Sequence, residues 1–324
     1  MTEQAYSRSR RNKRKKRGGC LKWLLIGFIL VLLAIGLIFA KLYLDTKKLT
    51  DSVFVQPDQE TQQPIRDSVN LSQKTPFSIL ILGIDTGDYG RTDQGRSDVM
   101  MVATLNPNTN QTTLVSIPRD TYTTIVGRSG QDKINHAYAY GGTAMAVDTV
   151  EALLDIPIDY TVTVDMQGFA QIIDAVGGVT VVANDSFTME GYSFVEGQTY
   201  QMDGAMALAY SRDRSVEGGD YGRQARQRQI IQAIASSVLS MNLIANYQNI
   251  LTSLQGNVQV SIPFAELLPA IQNYRSALRQ LNTLQLSGSG QMIDNVYYEM
   301  LDQTQLQEVQ ARLQSELELT SSGN

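Results

Sequence analysis

An uncharged apolar stretch near the N-terminus constrains this chain more than any other feature. Residues 23–40 contain no charged or strongly polar side chain. As an α-helix, a segment of this length spans about 27 Å, which is close to the hydrocarbon thickness of a bilayer. A cleaved signal peptide would need a small-residue cleavage site, and residues 41–45 (Lys-Leu-Tyr-Leu-Asp) do not form one. The sequence therefore predicts one transmembrane helix over residues 23–40.

The charge distribution predicts how this helix is oriented. The chain has 27 Lys and Arg against 32 Asp and Glu, but nine of the basic residues and one acidic residue precede Trp23. Because basic residues stay on the cytoplasmic side of a span, residues 1–22 are predicted to be a cytoplasmic tail and the remainder to lie outside the cell membrane. The acidic remainder argues against a nucleic-acid-binding protein. Cys20, the only cysteine, belongs to the tail, so the exported part is predicted to have no disulfide.

The part of the chain after the span is predicted to form a stalk and one extracytoplasmic domain. Residues 41–75 are mostly polar and weakly periodic, which is typical of a linker. Residues 76–319 alternate strand and helix patterns, and residues 76–239 carry most of the motifs. This alternation predicts an α/β domain, a layered α-β-α sandwich around a mixed, partly antiparallel sheet, preceded by the transmembrane helix. Residues 320–324 are expected to fray.

Several helices are predicted from apolar periodicity and from capping residues. They include residues 143–154, residues 221–239, residues 263–281 with an interruption at Pro269, and residues 304–319 with Thr304 as a possible N-cap.

The segment Ser-Ile-Pro-Arg-Asp at residues 116–120 ends a predicted strand. Pro118 has no N–H group and cannot continue in a central sheet, so the strand should stop there. Arg119 and Asp120 would then lie at a strand end, where α/β sheets commonly bind ligands. The same pattern is also compatible with a surface turn that contains a weak ion pair.

Two carboxylates have similar positions at other strand ends. Asp85 follows an apolar strand, and Asp98 begins the next one. If these strands are neighbours, both carboxylates lie at one sheet edge, in the combination that Mg²⁺ prefers when phosphate oxygens supply further ligands. Asp88 and Asp93 in the intervening loop could also be ligands. Asp85 is equally compatible with a simple turn position.

Arginines are concentrated in one later segment. Between Gly204 and Arg228 the chain has five arginines and no lysine, although a solvated basic surface would normally mix the two. The arginine side chain binds phosphate through two parallel hydrogen bonds. Arg212 and Arg214 would point the same way in an extended segment. The remaining candidates share one helix face: Arg223, Arg226 and Gln227. This pattern favours an anion site over a set of ion pairs with nearby carboxylates.

The sequence offers little support for other enzyme classes. His136 is the only histidine, so a Ser-His-Asp site would require it. Its apolar and aromatic neighbours favour a structural, hydrogen-bonding role instead. P-loop and G-x-G-x-x-G patterns are missing.

Six motifs in order resemble those of the LytR-CpsA-Psr family. They are residues 77–85 (FSILILGID), 95–98 (GRSD), 116–120 (SIPRD), 133–138 (KINHAY), 210–214 (YSRDR) and 220–227 (DYGRQARQ). The resemblance implies a phosphotransferase that moves a phospho-glycopolymer from a polyprenyl-pyrophosphate carrier to peptidoglycan in a Gram-positive-type envelope. The polymer would be teichoic acid, capsule or a related polysaccharide, and the partners would be this lipid-linked donor, the peptidoglycan acceptor and membrane lipid.

The resemblance also implies roles for individual residues. Asp85 and Asp98 would bind Mg²⁺ or Mn²⁺. The pyrophosphate would be held by Arg96, Arg119, Arg212, Arg214, Arg223 and Gln227, to which the helix-face argument adds Arg226. Arg119, Asp98 and Asp120 are the catalytic candidates, with the general base left open between the two aspartates. Two alternative functions are a polyprenyl-pyrophosphate pyrophosphatase and a membrane-bound transcriptional regulator or attenuator.

Overall fold

The structure is a computed structural model, and it describes Arg66 and residues 68–85, 95–214, 219–240, 253–254 and 256–319. The predicted tail, the predicted span at 23–40, the loop aspartates Asp88 and Asp93 and the predicted frayed end lie outside these residues. Within the described ranges, no helix is both long enough and apolar enough to span a membrane.

The described residues confirm the predicted α/β class with a mixed central sheet. Six strands form the sheet: β1 (Phe77–Ile84), β2 (Ser97–Asn106), β3 (Gln111–Ser116), β6 (Tyr160–Asp165), β11 (Val258–Val260) and β12 (Gln280–Gln285). Their order across the sheet is β11-β6-β1-β2-β3-β12. β1 pairs parallel with β6 and antiparallel with β2, while β3 pairs parallel with β12.

Shorter strands form two-stranded ribbons outside this sheet. They pair as β4 with β5, β7 with β10, β8 with β9 and β13 with β14. Their bounds are β4 (Tyr122–Thr124), β5 (Gln131–Lys133), β7 (Val179–Val182), β8 (Phe187–Met189), β9 (Tyr192–Phe194), β10 (Thr199–Met202), β13 (Gly288–Ile293) and β14 (Val296–Leu301).

Helices cover both faces of the sheet. The helices are α1 (His136–Leu154), α2 (Met166–Ala175), α3 (Gly204–Arg212), α4 (Gly219–Ser240), α5 (Phe264–Tyr274) and α6 (Gln303–Glu316). On one face, Leu80 and Leu82 of β1 pack in a core with residues of α1 and α6. On the other face, the core includes Phe77 and Tyr274, with Ile231 of α4 packed against it. Side chains alternate between the two faces of a strand, so the near-continuous apolar run of β1 is explained by burial from both sides.

A third core lies beside the sheet and holds α2, α3 and α4 together with the ribbons β7–β10 and β8–β9. Its centre includes Phe187, Phe194 and Tyr210, whose rings contact one another. Asp165 and Asp203 are the N-caps of α2 and α3, because their carboxylates accept hydrogen bonds from the main chain of the first helical turn.

Helix boundaries differ from the predictions at three places. α1 begins at His136, whereas its apolar periodicity predicted a start at residue 143. The additional residues include a kink at Gly141 and Gly142. α5 continues past Pro269 but ends at Tyr274, after which residues 280–285 form β12. The N-cap of α6 is Asp302, which accepts a hydrogen bond from the main-chain N–H of Gln305, so the prediction of Thr304 was wrong.

The end of the predicted stalk packs on the domain. Leu71 is buried in the core on the α4 side of the sheet. Tyr274 donates a hydrogen bond of 2.5 Å to the carbonyl of Thr75, and Arg66 forms an ion pair with Asp159. Folded structure therefore begins before residue 76, since Arg66, Leu71 and the main chain of Thr75 all contact the domain.

Candidate active site

The candidate site lies at one end of the central sheet. β1, β3, β6 and β12 run in the same direction, so their C-terminal ends meet there, together with the start of the antiparallel strand β2. Asp85 directly follows β1, and Ile84 pairs with Ser97. The strands that carry Asp85 and Asp98 are therefore neighbours, which is the condition that the sequence argument required.

A β-bulge gives Asp98 its position. Gly83 pairs with Val99 and Ile84 pairs with Ser97, so the register skips Asp98. A Cβ atom on Gly83 would lie 2.8 Å from Cβ of Val99, so glycine allows this close approach of the two strands. Bulges commonly redirect a side chain beside an active site.

Arg119 contacts carboxylates from three parts of the chain. One of its terminal nitrogens donates to Asp98 at 2.9 Å, and its Nε lies 3.6 Å from Asp120 and 3.9 Å from Asp220. Burial lowers the pKa of Arg119, but these carboxylates outweigh that effect and leave the pKa above its usual value. The strand before it ends at Ser116, as Pro118 predicts.

The first turns of α4 supply a second arginine. Arg223 is 4% exposed, contacts Asp220 at 2.5 Å and donates to the main-chain carbonyl of Asp98 at 3.5 Å. Burial lowers its pKa to about 10, and the positive charges of Arg214 and Arg119 act in the same direction. A cation that burial and like charges disfavour would be stabilised by a bound anion.

Arg214 completes the group that surrounds Asp98. Its guanidinium lies 3.9 Å from the Asp98 carboxylate and is about half exposed. The side chains brought together at this end of the sheet are thus Asp98, Arg119, Asp120, Arg214, Asp220 and Arg223. We call them the arginine–aspartate cluster.

Several buried polar atoms in and beside this cluster make no hydrogen bond within the described part of the chain. They include the Nε atoms of Arg119 and Arg223 and the side-chain oxygens of Gln224 and Gln227. Native proteins leave few such atoms unpaired. The two guanidinium N–H groups have the chemistry to bind phosphate oxygens.

Other predicted ligands lie differently. Arg96 is exposed, and its main-chain N–H donates to the Asp85 carboxylate at 2.6 Å. Arg212 forms an ion pair of 2.8 Å with Glu190, which lies between β8 and β9. A separate cleft of about 290 Å³ beside α2 and α3 is lined by Asp174, Tyr192 and Met206 among others, and it includes no member of the arginine–aspartate cluster.

Arg226 is built into the third core. Its side chain is 0% exposed and donates to Asp185 at 2.9 Å and to the main-chain carbonyls of Tyr210 and Asp213. Its guanidinium also lies 4.9 Å from the centre of the Phe187 ring. These partners occupy the donors that a pyrophosphate would need, so the geometry argues against Arg226 as a substrate ligand.

His136 has the structural surroundings that its sequence context favours. Its Nδ1 lies 2.8 Å from Asp132, and Tyr140 donates to the same carboxylate at 2.7 Å. Burial opposes ionisation of Asp132, but these two hydrogen bonds and one from the main-chain N–H of Lys133 hold its pKa below the usual value.

Sequence reasoning assigned no site role to Asp220, which belongs to the cluster, or to four residues that contact or support it: Lys133, Tyr221, Tyr297 and Glu299. Lys133 forms an ion pair of 2.7 Å with Asp120. Glu299 of β14 is buried, accepts hydrogen bonds from Tyr221 and Tyr297, and donates its main-chain N–H to the carbonyl of Asp120. The sequence signal for the hairpin that carries Glu299 was the pair Asp294-Asn295 between two strand-like runs, because Asp and Asn favour turns. In the structure both residues adopt the positive φ of a hairpin turn.

The donor set can be tested for a metal ion. No group of three or more His, Cys, Asp or Glu side chains suitable for a metal occurs among the described residues. Two carboxylates at neighbouring strand ends, Asp85 and Asp98, nevertheless fit Mg²⁺, which binds one or two carboxylates and completes its octahedron with phosphate oxygens and water.

Comparison with known proteins identifies relatives over most of the chain. The family model described as the LytR_cpsA_psr family matches residues 40–315. A relative from Enterococcus faecalis, named polyisoprenyl-teichoic acid–peptidoglycan teichoic acid transferase TagU, is 46% identical over 296 residues, which cover 91% of this chain and 96% of that protein.

Solved structures share the fold. A structure described as TagT bound to LI-WTA has a TM-score of 0.69 at 30% identity and covers 82% of this chain and 99% of its own. A crystal structure described as a transcriptional regulator from Enterococcus faecalis has a TM-score of 0.70 at 39% identity, covering 78% of this chain and 91% of its own.

Proposed function

This chain belongs to the LytR-CpsA-Psr family, and from that membership we propose that it is a phosphotransferase that attaches a teichoic acid or a related glycopolymer to peptidoglycan. The donor would be the polymer linked to a polyprenyl pyrophosphate. The names of its relatives support this class of donor and acceptor.

The observation that carries the proposal is the arginine–aspartate cluster. Phosphoryl transfer depends mainly on positioning the reacting groups and on neutralising charge on the phosphate oxygens. Arg119, Arg214 and Arg223 approach Asp98 from three different segments of the chain. A pyrophosphate that bound these arginines would replace carboxylate contacts that already hold the guanidinium groups in place. Arg96, Arg212 and Gln227 remain proposed ligands, on the family resemblance.

The proposed reaction exchanges one bond to phosphorus for another. An acceptor sugar hydroxyl forms a bond to the phosphorus that carries the glycopolymer. The bond from this phosphorus to the bridging oxygen breaks, and polyprenyl phosphate leaves with that electron pair. The hydroxyl proton passes to a carboxylate, for which we propose Asp120. Asp98 accepts from Arg119 at 2.9 Å and is also the proposed metal ligand, and a carboxylate that binds a metal is a weaker base than one that does not.

Asp85 and Asp98 are the residues that would hold Mg²⁺ or Mn²⁺. When bound there, the ion would neutralise charge on the pyrophosphate oxygens. Arg119 and Arg223 would then orient the same phosphates, while Lys133 holds the Asp120 carboxylate.

Removing divalent cations is expected to lower transfer by about 10²-fold, since a metal supplies several kcal/mol of charge stabilisation in such reactions. The measurement is the transfer rate after EDTA treatment, followed by titration with Mg²⁺ or Mn²⁺. Asp85→Asn should raise the concentration of metal needed for half-maximal rate. Asp203→Asn, which alters a helix-capping carboxylate, is the matched control and should leave that concentration unchanged. Full activity in EDTA would contradict the metal assignment.

The lipid part of the donor would need an apolar surface. On the α4 side of the sheet, Ile79 and Ile81 in the middle of β1 are only partly buried, whereas Ser78, Leu80 and Leu82 on the opposite face are fully buried. We propose that the prenyl chain covers this face. A single-pass anchor at residues 23–40 would keep the domain beside the membrane that contains the donor.

One assay separates transfer from the alternative of hydrolysis. The full chain is incubated with a polyprenyl-pyrophosphate-linked glycan, with and without peptidoglycan oligosaccharide. Transfer predicts a glycan–oligosaccharide product and release of polyprenyl phosphate that depends on the acceptor. Release of the same amount without acceptor, and no joined product, would favour a pyrophosphatase instead.

A further inference from the structure

The β13–β14 hairpin presents a tyrosine ring in a fixed orientation beside the arginine–aspartate cluster. Tyr297 is 45% exposed, yet its hydroxyl donates to the buried carboxylate of Glu299 at 2.6 Å. Exposed tyrosines normally turn freely, because nothing holds the hydroxyl. Here the hydrogen bond fixes the end of the ring.

The absence of a side chain at Gly290 lets the Tyr297 ring pack against the neighbouring strand. A Cβ atom on Gly290 of the neighbouring strand would lie 2.6 Å from Cε2 of Tyr297, so the ring occupies the space that any other side chain would need. One side of the ring therefore rests on the backbone of β13. Met292, the cross-strand partner of Tyr297, is 61% exposed and extends the apolar surface.

Glu299 connects this ring to the proposed base. Its main-chain N–H donates to the Asp120 carbonyl at 2.9 Å, and Thr121 forms a β-bridge with it. The second carboxylate oxygen of Glu299 accepts a hydrogen bond of 2.5 Å from the hydroxyl of Tyr221, the residue that follows Asp220 in the first turn of α4. The Glu299 hydrogen bond raises the pKa of Tyr297 to about 12, and the charges of Asp120 and Asp220 act in the same direction. Through Glu299, Tyr297 is thus connected to the main chain of Asp120 and to the helical turn that carries Asp220.

We propose that Tyr297 is the platform on which a sugar ring of the acceptor glycan stacks, and that Glu299 is a positioning residue that orients it. Aromatic rings commonly bind flat apolar ligand surfaces while a polar atom sets their orientation. We commit to the acceptor rather than to a sugar of the donor because Asp120, the proposed base, must contact the acceptor hydroxyl. The donor would instead be held through its phosphates by the arginines. This inference rests on the proposed function.

The kinetic test compares the acceptor and the donor separately. With a soluble peptidoglycan oligosaccharide as acceptor, Tyr297→Ala is expected to raise its KM about tenfold, the effect of roughly 1.4 kcal/mol, with a smaller change in kcat and in the donor KM. Tyr297→Phe, which keeps the ring but loses the hydroxyl, should raise the acceptor KM only about threefold, as expected for losing one hydrogen bond. Tyr192→Ala on the β8–β9 hairpin is the matched control and should change neither KM. A rise in the donor KM alone, or no change in either, would overturn the proposal.

Glu299→Gln tests the positioning role. It removes one hydroxyl acceptor and should raise the acceptor KM about threefold, a cost of under roughly 1 kcal/mol. The control is Glu316→Gln, because Glu316 also accepts two hydroxyl hydrogen bonds, from Thr104 and Thr113, at the opposite end of the sheet. Equal acceptor KM values for both variants would show that Glu299 only supports the fold.

A binding experiment separates this inference from the proposed function. The full wild-type chain is titrated with the oligosaccharide in the absence of any lipid donor, and binding is followed by calorimetry. Binding that weakens about tenfold in Tyr297→Ala supports the platform even if no transfer is detected. Absence of wild-type binding, or equal binding by Tyr297→Ala, would overturn the inference even if transfer is established.

Discussion

Replacing Arg119 with alanine is expected to lower the transfer rate by about 10²–10³-fold while the chain stays folded, an effect comparable to losing one donor that stabilises transition-state charge. Arg119 is the cation that contacts all three aspartates of the cluster. Its loss would leave the pyrophosphate oxygens without one charged partner and would free the Asp98 carboxylate from its orientation. The measurement is the rate of acceptor-dependent release of polyprenyl phosphate, with thermal unfolding measured in parallel.

Arg312→Ala is the matched control for Arg119→Ala. Arg312 also pairs with a carboxylate, Glu316, but at the opposite end of the sheet. Its replacement should leave the rate within about twofold, since this partly buried pair contacts no member of the arginine–aspartate cluster. Near-normal turnover of Arg119→Ala in a folded chain would remove Arg119 from the site and would weaken the whole arginine assignment.

Arg226→Met is expected to destabilise the domain by about 3–5 kcal/mol, the usual cost of leaving a buried charge without its partner. Asp213 is 3% exposed, and its carboxylate lies 3.6 Å from the Arg226 guanidinium. The main-chain carbonyls of Tyr210 and Asp213 would also lose a donor. The measurement is urea unfolding of the variant and of the wild type.

Two further variants separate this structural role from substrate binding. Adding Asp213→Asn to Arg226→Met should recover part of the lost stability, because it removes the buried negative charge that Arg226 contacts in the wild type. Arg228→Met, two residues further along the helix, should cost less, since its donors contact the neutral side chains of Ser116 and Gln285. A stable Arg226→Met chain that bound the lipid donor poorly would instead support the interpretation of Arg226 as a ligand.

The arginines of α4 show why helical periodicity could not settle these roles. Arg223 and Arg226 are three residues apart, so their side chains point in directions about 60° apart and belong to one broad face. That helix face contacts two different regions, the end of the central sheet and the third core. Arg223 reaches the end of the sheet at Asp98, and Arg226 enters the third core beside Phe187. Both positions are buried, and the choice between them depends on what packs against each turn of the helix.

The residues around Tyr297 show that local sequence patterns do not predict contacts between distant segments. Glu299 is close to Asp120 although about 180 residues separate them in the chain, and local patterns carry no information on such a contact. The hairpin itself had a turn signal at Asp294-Asn295. Its position at the β3 end depends on the β12 pairing that precedes it and on the contacts of Glu299 with Asp120 and Thr121.

Local patterns were sufficient to place Asp85, Asp98 and Arg119 at strand ends, since apolar runs, a proline and charged residues have local physical consequences. The order and spacing of the motifs were sufficient to identify the family. Three features became visible only in the folded chain: Asp98 lies in a β-bulge, Arg226 is buried among main-chain carbonyls, and Lys133 and Glu299 contact Asp120. These outcomes depend on contacts between distant segments, which form only when the sheet order and the helix packing bring those segments together.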